Sequence, residues 1–122
     1  MPIRHRWRLP LAGLLCTLAA TQAFAAQRGR ASWYGRFHEG KLMANQQPFH
    51  MNEPTVAHRT LPLGTVVEVR NLENGLVAEA EVTDRGPYVR GRVLDVSKAV
   101  AQQLDMVDGG TAPVEIRVLP RG

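Results

Sequence analysis

Two carboxylates, Asp84 and Asp95, stand eleven positions apart, each at the end of a β-rich stretch. Asp84 opens the turn Asp84-Arg85-Gly86-Pro87, and Asp95 sits in Val93-Leu94-Asp95-Val96. A carboxyl at a strand end can face a groove and pass a proton to or from a reacting oxygen. Each also has a plainer reading. Asp84 can accept backbone N–H bonds within its turn, and Asp95 can cap the helix that begins at Ser97. His58 can orient a carboxylate or bond a hydroxyl, though a lone histidine is more often structural. Together with His38 and His50 it makes no familiar ligand spacing, so neither a metal nor a cofactor is expected. Trp33, Tyr34, Phe37, Phe49 and Tyr88 supply aromatic faces, most of them expected in the core.

Short strands must position these groups. Ala31-Ser32-Trp33-Tyr34 reads as the first, ended by Gly35 and preceded by a short frayed lead-in over 26–30. Residues 35–54 are rich in Gly, Asn, Gln, His and Pro and show neither helical nor strand periodicity. A loop of that length in a compact domain is usually functional or mobile, which makes it a candidate binding surface. Thr65-Val66-Val67-Glu68-Val69-Arg70 is β-rich and follows the punctuation of Pro62 and Gly64. Asn74-Gly75 predicts a tight hairpin with both central positions at φ > 0. Ala78, Ala80 and Val82 then alternate with Glu79 and Glu81, and Val114, Ile116 and Val118 with Glu115 and Arg117. One helix is expected over 98–104, with Ser97 as its N-cap and Val100 and Leu104 on one face. Many short strands with one short helix point to a mainly β domain, and periodicity leaves barrel and sandwich both open.

The first 25 residues read as an export leader. Arg4, Arg6 and Arg8 precede an apolar stretch over 11–20, and Ala23-Phe24-Ala25 supplies a small-x-small cleavage pattern. Cleavage is expected after Ala25; uncleaved, the same stretch would serve as an anchor. It is short for a transmembrane helix. Cys16, the chain's one cysteine, follows Leu14 and Leu15 without the small residue that a lipid-attachment signal needs. The expected product is therefore exported, free of a stable membrane anchor, without disulfides and monomeric. Without the three leader arginines, 12 basic residues face 11 acidic ones, which gives no footprint of a nucleic-acid binder. A single domain over 31–120 remains.

From Ala31 onward the sequence resembles the RlpA-like family. The matching blocks run in family order: Ala31-Ser32-Trp33-Tyr34-Gly35, Ala44-Asn45 with Phe49 and Met51-Asn52, Ala57-His58-Arg59-Thr60-Leu61-Pro62-Leu63-Gly64-Thr65, Thr83-Asp84-Arg85-Gly86-Pro87-Tyr88, Gly91-Arg92-Val93-Leu94-Asp95-Val96-Ser97-Lys98 and Gly110-Thr111-Ala112-Pro113-Val114. The resemblance implies a six-stranded double-psi β-barrel with one short helix. It also implies an endolytic lytic transglycosylase of the periplasm that cuts peptidoglycan glycan strands stripped of stem peptides. In such a reaction the sugar's own 6-hydroxyl attacks, so one carboxyl can protonate the leaving oxygen and later accept the hydroxyl proton. Asp84, Asp95 and His58 are then the expected catalytic residues. Asp84 comes first; an aspartate in the context of Asp95 is the acid in related double-psi barrels, expansin-like domains among them.

Tyr88, next to Pro87 in the turn, is the expected sugar platform, and Arg59, Arg85 and Arg90 either bind the acidic lactyl group of muramic acid or stay as solvated charges on a rim. One segment departs from the family. After Ala44-Asn45 its active members read Gly-Glu-x-Phe-Asp, whereas this chain reads Gln46-Gln47-Pro48-Phe49-His50. An amide such as Gln47 exchanges no catalytic proton, but Gln47 and His50 can still bond sugar hydroxyls or an N-acetyl group. Three functions follow as expectations: a lytic transglycosylase, a glycan-binding or wall-loosening module that has lost its chemistry, and a structural envelope barrel without a ligand.

Overall fold

A computed structural model describes residues 25–120 of the chain. The leader expected over 1–25 lies outside them but for Ala25. Six strands form a closed barrel: β1 (Gln27–Tyr34), β2 (Thr55–Ala57), β3 (Val66–Asn71), β4 (Val77–Asp84), β5 (Arg92–Ser97) and β6 (Thr111–Val118). Their order around the barrel is β1-β5-β2-β4-β3-β6. The β1–β5 and β2–β4 pairs are parallel and the other four antiparallel. Closure lets each strand bond on both sides, so no edge is left to pair with another chain. Alternate side chains fill the interior with Ala31, Val56, Val67, Val69, Val82, Leu94, Val96, Val114 and Ile116. The one α-helix among the described residues, α1 (Lys98–Gln103), lays Val100 and Ala101 on this core. Ser97 caps it as expected, its Oγ accepting from the Val100 N–H at 3.3 Å. Leu104 is the C-cap rather than the last helical residue.

The lead-in over 26–30 is corrected: residues 27–30 belong to β1. Gln27 to Ser32 each pair with a residue of β6, from Ile116 to Thr111, so these polar residues are ordered by their neighbour rather than by their own alternation. Gly29 allows the arrangement, because a Cβ there would stand 2.5 Å from the Val93 side chain. The Asn74-Gly75 turn also differs from expectation. Only Gly75 has positive φ, and the loop is closed wider, by Asn71 N–H to the Leu76 carbonyl and Gly75 N–H to the Asn71 carbonyl. Asn71 and Asn74 both donate from Nδ2 to the Leu104 carbonyl, fastening the hairpin to the end of α1. That tertiary bond outcompetes the tight turn preferred by the dipeptide alone.

The segment over 35–54 is a built loop. A single 3-10 turn (Arg36–His38) opens it, and an isolated bridge joins Leu42 to Pro48. Phe49 and Met43 are buried beneath it.

Candidate active site

The site begins at β2, whose three residues are all buried. Ala57 is paired on one side with Asp84 of β4 and on the other with Asp95 of β5. Two inter-strand spacings therefore separate the aspartate backbones, roughly 10 Å. The pairing slips by one residue on β4 between the partners of Val56 and Ala57, and likewise on β5 between the partners of Arg30 and Ala31. Such bulges re-aim the side chains beyond them and are common beside active sites. Asp84 and Asp95 both line a cavity of about 370 Å³, with Ser32, Tyr34, Arg85 and Arg92 among its walls.

The two carboxylates are held differently. Asp84 Oδ1 accepts the N–H groups of Ala44 and Arg85, each at 2.9 Å, which ties the 35–54 loop to the end of β4. Its Oδ2 makes no hydrogen bond, and no cation stands within ion-pair reach of the carboxylate among the described residues. Asp95 Oδ1 accepts from Ser32 Oγ at 2.6 Å and pairs with Arg92 Nη2 at 2.7 Å. Asp84 thus does make the turn bonds of its plainer reading, while Asp95 takes no part in capping α1.

Sequence reasoning missed Tyr34. It lies at the end of β1, packed on Phe49 at a ring separation of 4.6 Å and edge-on to His38 at 5.0 Å. Its hydroxyl is buried without a hydrogen-bond partner among the described residues. Burial raises its pKa well above the usual phenol value, and the charges of Asp84 and Asp95 add to the rise. The phenol thus remains a protonated donor beside both carboxylates. Its only signal in the sequence was its place in a four-residue aromatic strand, which fits a core residue equally well.

His58 is not brought into this cavity. Its ring is buried, with Nδ1 accepting the N–H groups of Thr60 and Leu61 at 3.1 Å and Nε2 bonded to Gln27 Oε1 at 2.8 Å. Burial, then the nearby Arg59 and Arg85, lower its pKa, which keeps the ring neutral for those bonds. Its backbone serves the site: the N–H donates to the Asp84 carbonyl, and the carbonyl accepts from Arg85 Nη1. Arg85 also donates to the Leu61 carbonyl at 2.6 Å. Arg59 donates to the carbonyls of Pro87 and Arg92. Both arginines therefore brace backbone. Tyr88 is 76% exposed, outside the carboxylate cavity.

Gln47 and His50 line a different cavity of about 310 Å³, with Asn45, Glu53 and Glu81. His50 Nδ1 meets Glu39 Oε2 at 2.9 Å, which raises the histidine's pKa, and Glu39 Oε1 accepts the Met51 N–H. Gln46, where the family carries glycine, sits at φ 70°, a left-handed conformation that glycine adopts without strain.

Residues 26–116 match the family model described as lytic transglycolase. The endolytic peptidoglycan transglycosylase RlpA of Campylobacter jejuni is 45% identical over 94 residues, covering 77% of this chain and 34% of that protein. The probable endolytic peptidoglycan transglycosylase RlpA of Aquifex aeolicus is 50% identical over 95 residues, covering 78% and 42%. The chain thus spans well under half the length of these curated relatives. Among solved structures, a mutant Clavibacter michiganensis expansin in complex with cellohexaose superimposes with a TM-score of 0.62 at 19% identity, over 80% of this chain and 53% of that one. The likeness extends to the barrel. The chain is a double-psi β-barrel and belongs to the lytic transglycolase family.

Proposed function

We propose that this domain is an endolytic lytic transglycosylase, working outside the cytoplasmic membrane on peptidoglycan glycan strands stripped of stem peptides. One observation carries the reading: Asp84 and Asp95 face one cavity from either side of Ala57, with Tyr34 in its wall. Kinship with proteins named for that activity supports it.

Asp84 carries the proton. Two backbone amides fix its Oδ1, while Oδ2 stays free and has no counter-ion competing for it. It protonates the leaving glycosidic oxygen; the muramic 6-hydroxyl then attacks its own anomeric carbon and returns a proton to the same carboxylate. The bond to the leaving sugar breaks, the ring-closing C1–O6 bond forms, and a 1,6-anhydro end results without water. Asp95, held by Ser32 and Arg92, places a fixed negative charge near the oxocarbenium-like centre. His58 and Arg59 are positioning residues, and so is Arg85 in the cavity wall. Gln47 and His50 bond the sugars farther along the strand, and Tyr88 offers its ring to them. Because Gln47 lies in the other cavity, its lack of an exchangeable proton leaves the aspartates' chemistry intact.

A second reading, a binding module without turnover, is favoured by Gln47 and His50 where active relatives carry acids. Incubation with peptide-free glycan strands, followed by mass spectrometry, separates the two. Products with 1,6-anhydro-muramic ends are expected. Intact strands that co-sediment with the protein would make it a binding module, and neither cleavage nor binding would defeat both readings.

A further inference from the structure

A larger cavity, of about 600 Å³, adjoins the carboxylate groove. Trp33, Tyr34 and His38 line both, so the two spaces share a wall. Two features set the larger one apart. Much of its surface is apolar, from Trp33, Phe37 and Met51, and among the described residues its fixed charges are the guanidinium of Arg36 and the ammonium of Lys98. No carboxylate lines it, and neither cation has an ion-pair or hydrogen-bond partner among the described residues. Arg36 lies over the Phe37 ring at 5.8 Å, leaving its donors unused.

Such a space fits a ligand with an apolar face and one negative charge. On the glycan proposed above, one sugar has that character: a muramic acid whose 3-O-lactyl carboxylate carries no peptide. Once a stem peptide is attached, that carboxylate becomes a neutral amide and the charge match is lost. We infer that this cavity is a subsite for the muramic residue next to the scissile bond, where Arg36 and Lys98 read its free lactyl carboxylate and so select peptide-free strands. Arg59 and Arg85 are spent on backbone carbonyls.

The inference rests on the glycan reading, and its test separates the two. Isothermal titration measures binding of three probes: a GlcNAc–MurNAc tetrasaccharide with free lactyl carboxylates, the same tetrasaccharide with those carboxylates converted to methylamides, and chitotetraose. The wild type should prefer the free acid over the methylamide by about tenfold, and the preference should shrink with added salt. Lys98→Gln and Arg36→Gln should each bring it to about threefold, leave methylamide affinity unchanged and preserve the melting temperature. Lys98→Arg should keep it. Equal affinity of the wild type for acid and methylamide, or a preference unmoved in both glutamine variants, would overturn the inference while leaving the glycan reading intact. If none of the three probes binds, the glycan reading itself fails, and the subsite with it.

Discussion

Asp84→Asn replaces a carboxylate by an amide of the same shape. The amide oxygen can still accept the Ala44 and Arg85 N–H bonds now made by Oδ1. What disappears is the charge on those bonds and the proton that Oδ2 would carry. Ionised acceptors are roughly twice as strong as neutral ones, so the expected stability loss is about 1 kcal/mol. In a domain of this size that lowers the melting temperature by about 4–8 °C. Turnover should fall far more, by at least the ~100-fold to 10,000-fold typical of a lost general acid. Asp84→Ala separates the two roles, because it leaves two N–H groups without their acceptor at about 1–3 kcal/mol each. Release of 1,6-anhydro ends from peptide-free glycan measures the first effect, and thermal denaturation followed by circular dichroism the second. An Asn variant that turns over at the wild-type rate would refute the assignment of the proton to Asp84. An Ala variant no less stable than the Asn variant would refute the bonding account.

Three further outcomes are expected. Tyr34→Phe removes a buried hydroxyl that has no partner among the described residues, so it should raise stability by about 1 kcal/mol in urea denaturation; a destabilised variant would mean that the hydroxyl is bonded within the fold. Gln46→Gly relieves a left-handed residue and should be neutral to stabilising, by up to about 1 kcal/mol, whereas Gln46→Ala should give no such gain. His58 should make stability pH-dependent. Its folded pKa lies below the ordinary value of 6.5, so the unfolded chain binds more protons, and stability should fall as pH drops from about 7 toward the folded pKa. His50, whose pKa is raised, contributes with the opposite sign, so the denaturation series is run in a His50→Gln background, where a flat profile would contradict the buried, neutral ring.

Strands with their own alternation, such as Val66–Asn71 and Val77–Asp84, were legible in the sequence, as was the Ser97 cap. The start of β1 was not. Gln27-Arg28-Gly29-Arg30 carries no apolar face, and its order comes from β6 and from the space that Gly29 leaves to Val93. Nor was β2, since three buried residues are too few to show a period. At the site, the two aspartates were visible as strand-end carboxylates, but the slips in pairing that turn them to one cavity leave no mark in composition. His58 stood out as a titratable residue, yet its neighbours in space consume both ring nitrogens. Tyr34 and Lys98 were passed over because an unpartnered donor is a property of surroundings rather than of residue type.

The three-residue β2 has a consequence for how such a domain can change over time. Because it is bonded to both β4 and β5, the gap between the aspartates is gauged by backbone pairing, which no single side chain sets. The 35–54 loop reaches the Asp84 carboxylate through the Ala44 N–H, and its further bonds to β4 and β5 run through the Asn45 N–H, the Met43 sulfur and the carbonyls of Glu53 and Pro54, none of them a side chain of Gln46, Gln47 or His50. Sequence drift within the loop, of the kind seen at Gln46, Gln47 and His50, is thereby insulated from the reacting pair. It can alter which strands are held and how firmly while the spacing of the acids stays as the barrel sets it.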